Sequence, residues 1–283
     1  MRWDRDHQSS NLEDRRGQGP PLGGGGGGLG ILWFVASRFG WKGVVALLVI
    51  AAAVKGFSMF TEADPRQATQ GAGAQVAGQS DEQVRFVGFV FDDAQSYWQR
   101  TFASSSQLYA PAKIVVFTDA VASACGNASS AVGPFYCSRD ERVFIDLDFY
   151  NELRTRFGAP GDFAQAYVLA HEMGHHIQNI TNNLEHGGDS VRTELQADCL
   201  AGVWAKDAET RNLLEIGDLQ EAFTAASAIG DDRIQRQTTG TVRPETFTHG
   251  SAQQRLAALR LGYTAGTPAA CGLSQFGSRA NTK

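Results

Sequence analysis

The chain has 283 residues, a formal net charge of −5 and an apolar share of 42%, which fits a globular protein of one large or two small domains. No basic face stands out, so nothing supports a nucleic-acid partner. The four cysteines, Cys125, Cys137, Cys199 and Cys271, form no CxxC pair, which removes the zinc-ribbon and thioredoxin-type readings.

Residues 1–30 are polar and end in the glycine run Gly23–Gly28. Such a composition cannot bury a core, and a disordered tail is expected. Residues 31–60 hold the only long apolar region, densest from Val44 to Val54 and flanked by Arg38, Lys42 and Lys55. Eleven residues rise only about 16 Å as a helix, whereas a span needs about 20 residues. Extension through Phe57, Met59 and Phe60 approaches that length if Lys55 snorkels to the headgroups. Trp33 and Trp41 suit a membrane interface. One transmembrane signal-anchor is therefore expected, with a signal peptide or a buried helix as alternatives. The long polar stretch before the apolar run weighs against a signal peptide. Arginines ahead of the span point the N-terminus to the cytoplasm and the following domain outside, although Lys55 opposes this. Residues 61–80 are small and polar and read as a flexible linker, so the folded domain is expected over 81–283.

An extracytoplasmic domain permits disulfides. Cys125 with Cys137 would close a short loop, and Cys199 with Cys271 would tie the C-terminal tail to the body. Spacing does not determine the connectivity, and buried free thiols are the alternative.

Within the domain, helical spacing of Val84, Val87, Val90, Phe91, Ala94 and Trp98 predicts a helix over 81–104. KIVVFT (113–118) and RVFIDL (142–147) read as strands. Helices are predicted over 162–180, 190–208, 219–229 and 251–261. Few strands with several helices give an α+β class, mostly helical with a small sheet.

The predicted helix over 162–180 contains VLAHEMGHHIQ, Val168 to Gln178. On a helix, His171 and His175 share one face and can both reach one metal ion. Glu172 sits beside the first histidine, where it can take a proton from a metal-bound water as that water attacks a carbonyl. Gly174 leaves room for a close neighbour. A catalytic metal needs a third protein ligand. The segment TELQADCLAGVWA (193–205) offers Glu194 and Asp198 four residues apart on one face of a largely apolar helix. Buried acids need partners. Glu194 is assigned as third ligand, and Asp198 as the acceptor that fixes a metal-bound imidazole. His176 points about 100° away from His175 on the helix, and His186 lies in a glycine-rich loop; both are weaker ligand candidates. In THGSAQQR (248–255), His249 could donate to a developing oxyanion. Arg255 could hold Asp198 or the substrate backbone.

Four blocks, GPFYCSRDERVFIDLDFY, AHEMGHHIQ, ELQADCLAGVWA and THGSAQQR, together resemble the bacterial neutral zinc metallopeptidases and lie near the gluzincins, including the membrane-bound CAAX-type proteases. The likeness runs from about Asp81 to Cys271. It implies a zincin-like fold after a short membrane segment, one Zn2+ on His171, His175 and Glu194, and Glu172 as catalyst. It also implies an edge strand above the active-site helix that pairs with an extended peptide; Arg142–Leu147 is the expected strand. The expected function is a membrane-anchored endopeptidase acting on peptides or proteins. A tethered zinc-binding scaffold without turnover, or a zinc amidase, is the alternative.

Overall fold

The computed structural model describes residues 1–18, 69–184 and 190–276. Its two interior strands explain the fold best. β2 (Lys113–Phe117) and β6 (Arg142–Asp146) are continuous apolar runs, because both faces of the sheet are covered. The sheet order is β1-β2-β6-β5, with β1 (Leu12–Asp14) and β6 parallel to β2 and β5 (Phe135–Cys137) antiparallel to β6. Residues Ile114, Val116, Val143 and Ile145 face the main helical core. Val115, Phe117 and Phe144 face the other way, in a small cluster with Val121, Cys137 and Phe135. That second face is covered by the antiparallel hairpin of β3 (Ala120–Ser123) and β4 (Gly126–Ser129).

The described helices are α1 (Thr69–Ser104), α2 (Asp148–Thr155), α3 (Asp162–Ile180), α4 (Ser190–Thr210), α5 (Asp218–Ala228), α6 (Asp231–Thr238) and α7 (Ala252–Ala265). The α+β class, mostly helical with small sheets, is the observed one. α4 and α7 cross almost backbone to backbone. A Cβ on Gly202 would strike the Leu259 carbonyl, and one on Gly262 the Cys199 carbonyl. Next to this crossing, Cys199 is bonded to Cys271, and Cys125 is bonded to Cys137. These pairings resolve the connectivity that spacing left open. The Cys125–Cys137 bond ties the hairpin to β5.

Several expectations are corrected. Residues 1–18 are not a structureless tail: Leu12–Asp14 is a strand on β2, and Met1 is buried in the core. The charge of this segment hid its few anchoring apolar residues, Met1, Trp3 and Leu12. The helix expected from 81 begins at Thr69, so 69–80 is not an irregular linker. Ala72, Ala74, Gln75 and Ala77 are good helix formers, which a reading of the segment as small and polar overlooks. The strand expected to be an edge, Arg142–Leu147, lies between β2 and β5. The edge on that side of the sheet is instead β5, three residues long and too short for periodicity to reveal.

Among the described residues no helix is long and apolar enough to cross a membrane. The segment 31–60 expected to do so, the glycine run 23–28, residues 61–68 and His186 lie outside the described residues.

Candidate metal centre

α3 carries His171 and His175 one turn apart, with ring centroids 4.8 Å from each other. Gly174 lies between them in sequence and on the packed side. A Cβ there would sit 3.0 Å from the Cα and carbonyl oxygen of Ala197. The close approach of α4 at Ala197 brings Glu194, one turn earlier, against both imidazoles. Glu194 Oε2 is 3.1 Å from His171 Nε2, and Oε1 is 3.4 Å from His175 Nε2. One ligand atom from each of the three residues lies within 4.8 Å of the others.

The hydrogen bonds behind the rings decide what this triad can hold. His171 Nδ1 is 2.8 Å from Asp198 Oδ1, and His175 Nδ1 is 2.8 Å from Gln178 Oε1. The Gln178 amide nitrogen is already given to Thr193 O at 2.7 Å and Gln196 Oε1 at 2.9 Å. Both partners of the rings are therefore acceptors, and each Nδ1 must be the donor. That leaves two Nε2 lone pairs turned toward a carboxylate. Like electron pairs in a buried space repel unless a proton or a cation lies among them. A divalent ion with nitrogen and oxygen preferences, such as zinc, fits this donor set.

The electrostatics agree. Burial would push the His171 imidazole down, but the charge and hydrogen bond of Asp198, with Glu194, outweigh it and lift it to about 10. His175 is raised as well, against burial, by Glu194. Burial would raise the Glu194 carboxyl, yet the two histidines hold it far below the ordinary carboxylate range. The metal-free site thus attracts positive charge. His171 lies above the ordinary 6.5, so its protonation stabilises the metal-free fold fully below about 6.5. That contribution fades as pH rises toward 10. A metal ion held by these three groups would have to displace this proton. Zinc binding at pH 7 is expected to release about one proton or more per ion, and its affinity to rise with pH. Titration calorimetry in buffers of different ionisation enthalpy measures the release; an enthalpy independent of buffer would contradict the ligand set.

Behind His171 lies a buried polar knot. Asp198 is fully buried; its Oδ1 accepts from Tyr167 Oη at 2.5 Å and Arg255 Nη2 at 3.0 Å, and its Oδ2 from Arg255 Nε at 2.9 Å. Burial would raise the Asp198 carboxyl, but Arg255 and His171 hold it down to about 2. Arg255 also reaches the Ile229 carbonyl at 3.3 Å. Between the two alternatives open for Arg255, its guanidinium is on Asp198.

A cleft of about 610 Å³ opens beside the triad, lined by His171, Glu172, His175, Glu194, His249 and Arg255 together with the β5 residues Phe135 and Tyr136. Glu172 is nearly buried, and burial lifts its carboxyl above the usual range. His249 is half exposed, with Nδ1 3.2 Å from Asp231 Oδ1. Asp231 also accepts the backbone N–H groups of Thr248, His249 and Gly250 at 2.7, 2.7 and 3.1 Å. The Ser251–Gln254 capping box then starts α7. His176 turns away from the triad: Nε2 lies 2.7 Å from Ala110 O and Nδ1 3.0 Å from Tyr136 Oη.

Gln178, Tyr167 and Asp231 belong to this site and were not singled out from sequence. Gln178 follows His175 by three residues on one helix face and Tyr167 precedes His171 by four, so helical spacing could have found both. Asp231 starts a helix too short to show periodicity.

A profile described as "Putative neutral zinc metallopeptidase" matches residues 1–273. YpfJ, an uncharacterised protein of Escherichia coli K12, is 38% identical over 293 residues, covering 96% of this chain and 98% of its own. Rv2575, an uncharacterised protein of Mycobacterium tuberculosis H37Rv, is 48% identical over 175 residues, covering 55% of this chain and 60% of its own. No solved structure matches the chain.

Proposed function

The chain belongs to this neutral zinc metallopeptidase family, and from that premise we propose that it is an endopeptidase in which His171, His175 and Glu194 hold one zinc ion and Glu172 is the general base. The observation that carries the proposal is the meeting of the three ligand atoms within 4.8 Å at the wall of an open cleft that Glu172 also lines. A structural zinc site would be closed and would have no use for a base.

When bound, zinc supplies a Lewis acid and a water of lowered pKa. Glu172 takes the proton of the attacking water and delivers it to the amine nitrogen as the C–N bond breaks. The water oxygen ends in the new carboxyl group. Its raised affinity for protons, a result of burial, suits a residue that must accept and then return one near neutral pH. His249 donates to the carbonyl oxygen as negative charge develops there, with Asp231 orienting its ring. Asp198 and Gln178 keep the two ligand imidazoles in the tautomer that frees Nε2. β5 is an edge strand beside the cleft, and an extended peptide can add to it by main-chain hydrogen bonds. The aromatic and aliphatic lining, including Phe149, Phe157 and Ile234, supports apolar side chains in the substrate.

The apolar run Val44–Val54 supports contact with the cytoplasmic membrane, and the two disulfides support a site outside the cytoplasm. The test is a digest of a diverse peptide mixture by the purified full chain. Cleavage is expected to stop on zinc chelation and to return with one equivalent of zinc, read by mass spectrometry of the fragments. Cleavage that persists without metal would refute the proposal.

A further inference from the structure

The N-terminal eighteen residues are bound to the zinc-site unit along their whole length. Trp3 meets Phe86 edge-on with ring centroids 5.4 Å apart. His7 Nε2 and Asn11 Nδ2 reach the two oxygens of Asp92 at 2.8 and 2.7 Å. A Cβ on Gly88 would lie 2.9 Å from Ser9 Cβ, so α1 and this segment touch with no space between them. Leu12, Glu13 and Asp14 pair in register with Ile114, Val115 and Val116. Arg5 is paired with Glu82, and Arg16 Nη2 lies 2.8 Å from Asp81 Oδ1. The chain before residue 19 and the chain after residue 80 thus run side by side. Met1–Gly19 and Ser80–Lys283 form one compact unit.

A bilayer with a hydrocarbon layer of about 30 Å cannot pass through a hydrogen-bonded sheet and its core. We infer that residues 1–18 and the zinc-site unit lie on the same side of any membrane the protein meets, so that the chain crosses between Gln18 and Ser80 an even number of times or not at all. A single-pass anchor with the N-terminus in the cytoplasm and the metal site outside is incompatible with this fold. A single crossing would take β1 away from β2, and exchange of β1 between copies inserted in the same orientation would not restore it. The charge rule misleads here for a physical reason. It counts basic residues available to the cytoplasmic face, whereas Arg5, Arg15 and Arg16 each lie against carboxylates of the folded unit, Glu82, Glu13 and Asp14 with Asp81; Arg38 and Lys42, on which the orientation also rested, lie outside the described residues.

The inference draws its interest from the proposed membrane contact but does not depend on peptidase activity. It is tested in the full chain expressed in a bacterium. Gln8→Cys and Gln237→Cys, both at exposed positions, are labelled separately with a membrane-impermeant maleimide in right-side-out spheroplasts and in inverted vesicles. Both variants are expected to react in the same preparation and to be protected in the other. Reaction of one in spheroplasts and of the other in inverted vesicles would overturn the inference. The double variant Arg16→Cys/Asp81→Cys provides an independent reading. A short bismaleimide should join its two cysteines within one chain, and absence of that cross-link would also overturn the inference. Recovery of the whole protein in the soluble fraction would count against the membrane contact alone, because the cross-link reports on the packing of residues 1–18 in either case.

Discussion

Glu172→Gln is expected to keep one zinc per chain and to lose about 10²–10⁴-fold in kcat, the usual contribution of a positioned general base. The two measurements separate because Glu172 is not among the three proposed ligands: its neighbours His171 and His175 point their Nε2 atoms at Glu194, and Glu172 lines the cleft instead. Glutamine keeps the shape and loses the ability to take a proton. Thermal stability should be maintained or rise slightly, since burial already opposes the ionised carboxyl at this position. Metal analysis and initial rates on the same preparation provide the check. Equal rates for variant and wild type, with zinc bound in both, would remove the base from Glu172 and leave a zinc-holding module as the better description.

Much of the candidate metal site is legible in the sequence, and the reason is helical geometry. His171, His175, Glu194 and Asp198 lie on two helices whose period fixes which residues share a face. The apolar run behind Glu194 and Asp198 signals that these acids are buried, and buried acids imply partners. Arg255 is further away in sequence, and its pattern leaves two partners open, Asp198 and the substrate backbone. What placed it is the crossing at Gly202 and Gly262, a tertiary contact that no local pattern announces. β1 and β5 were missed for a related reason. Each is three residues long, and each is stabilised by its pairing, β1 with the distant β2 and β5 with β6 across a short turn, rather than by its own propensity. The N-terminal segment shows the cost most clearly. Its composition is that of a disordered tail, yet Trp3, Ser9 and Leu12 find their partners on α1 and β2, more than 70 residues away in sequence. Composition reports how much apolar surface a segment has, but not whether a complementary surface exists elsewhere.

Arg255→Met should destabilise the fold by about 3–5 kcal/mol, the usual effect of removing one partner from a buried ion pair. The wild-type Asp198 carboxylate accepts four hydrogen bonds, two of them from Arg255. Methionine keeps the apolar stem of the side chain and leaves a buried anion with only Tyr167 and His171. Asp198 must then remain charged at high cost or take up a proton. In either state it is a poorer anchor for His171 Nδ1, so zinc affinity is expected to fall about 10–100-fold alongside stability. The double variant Arg255→Met/Asp198→Asn separates the two effects. Removing the uncompensated charge should recover part of the lost stability, while zinc affinity stays low because an amide oxygen holds the imidazole less firmly than a carboxylate. The pH dependence has a definite sign. Asp198 is depressed from 3.8 to about 2 in the wild type, so its contribution is complete above about 3.8 and is lost as pH falls toward 2. The stability gap between wild type and Arg255→Met should therefore be widest near neutral pH and narrow in acid, as measured by urea unfolding of the metal-free proteins. An unchanged gap down to pH 3, or a single variant as stable as the wild type at pH 7, would show that the Asp198–Arg255 pair does not anchor the metal site.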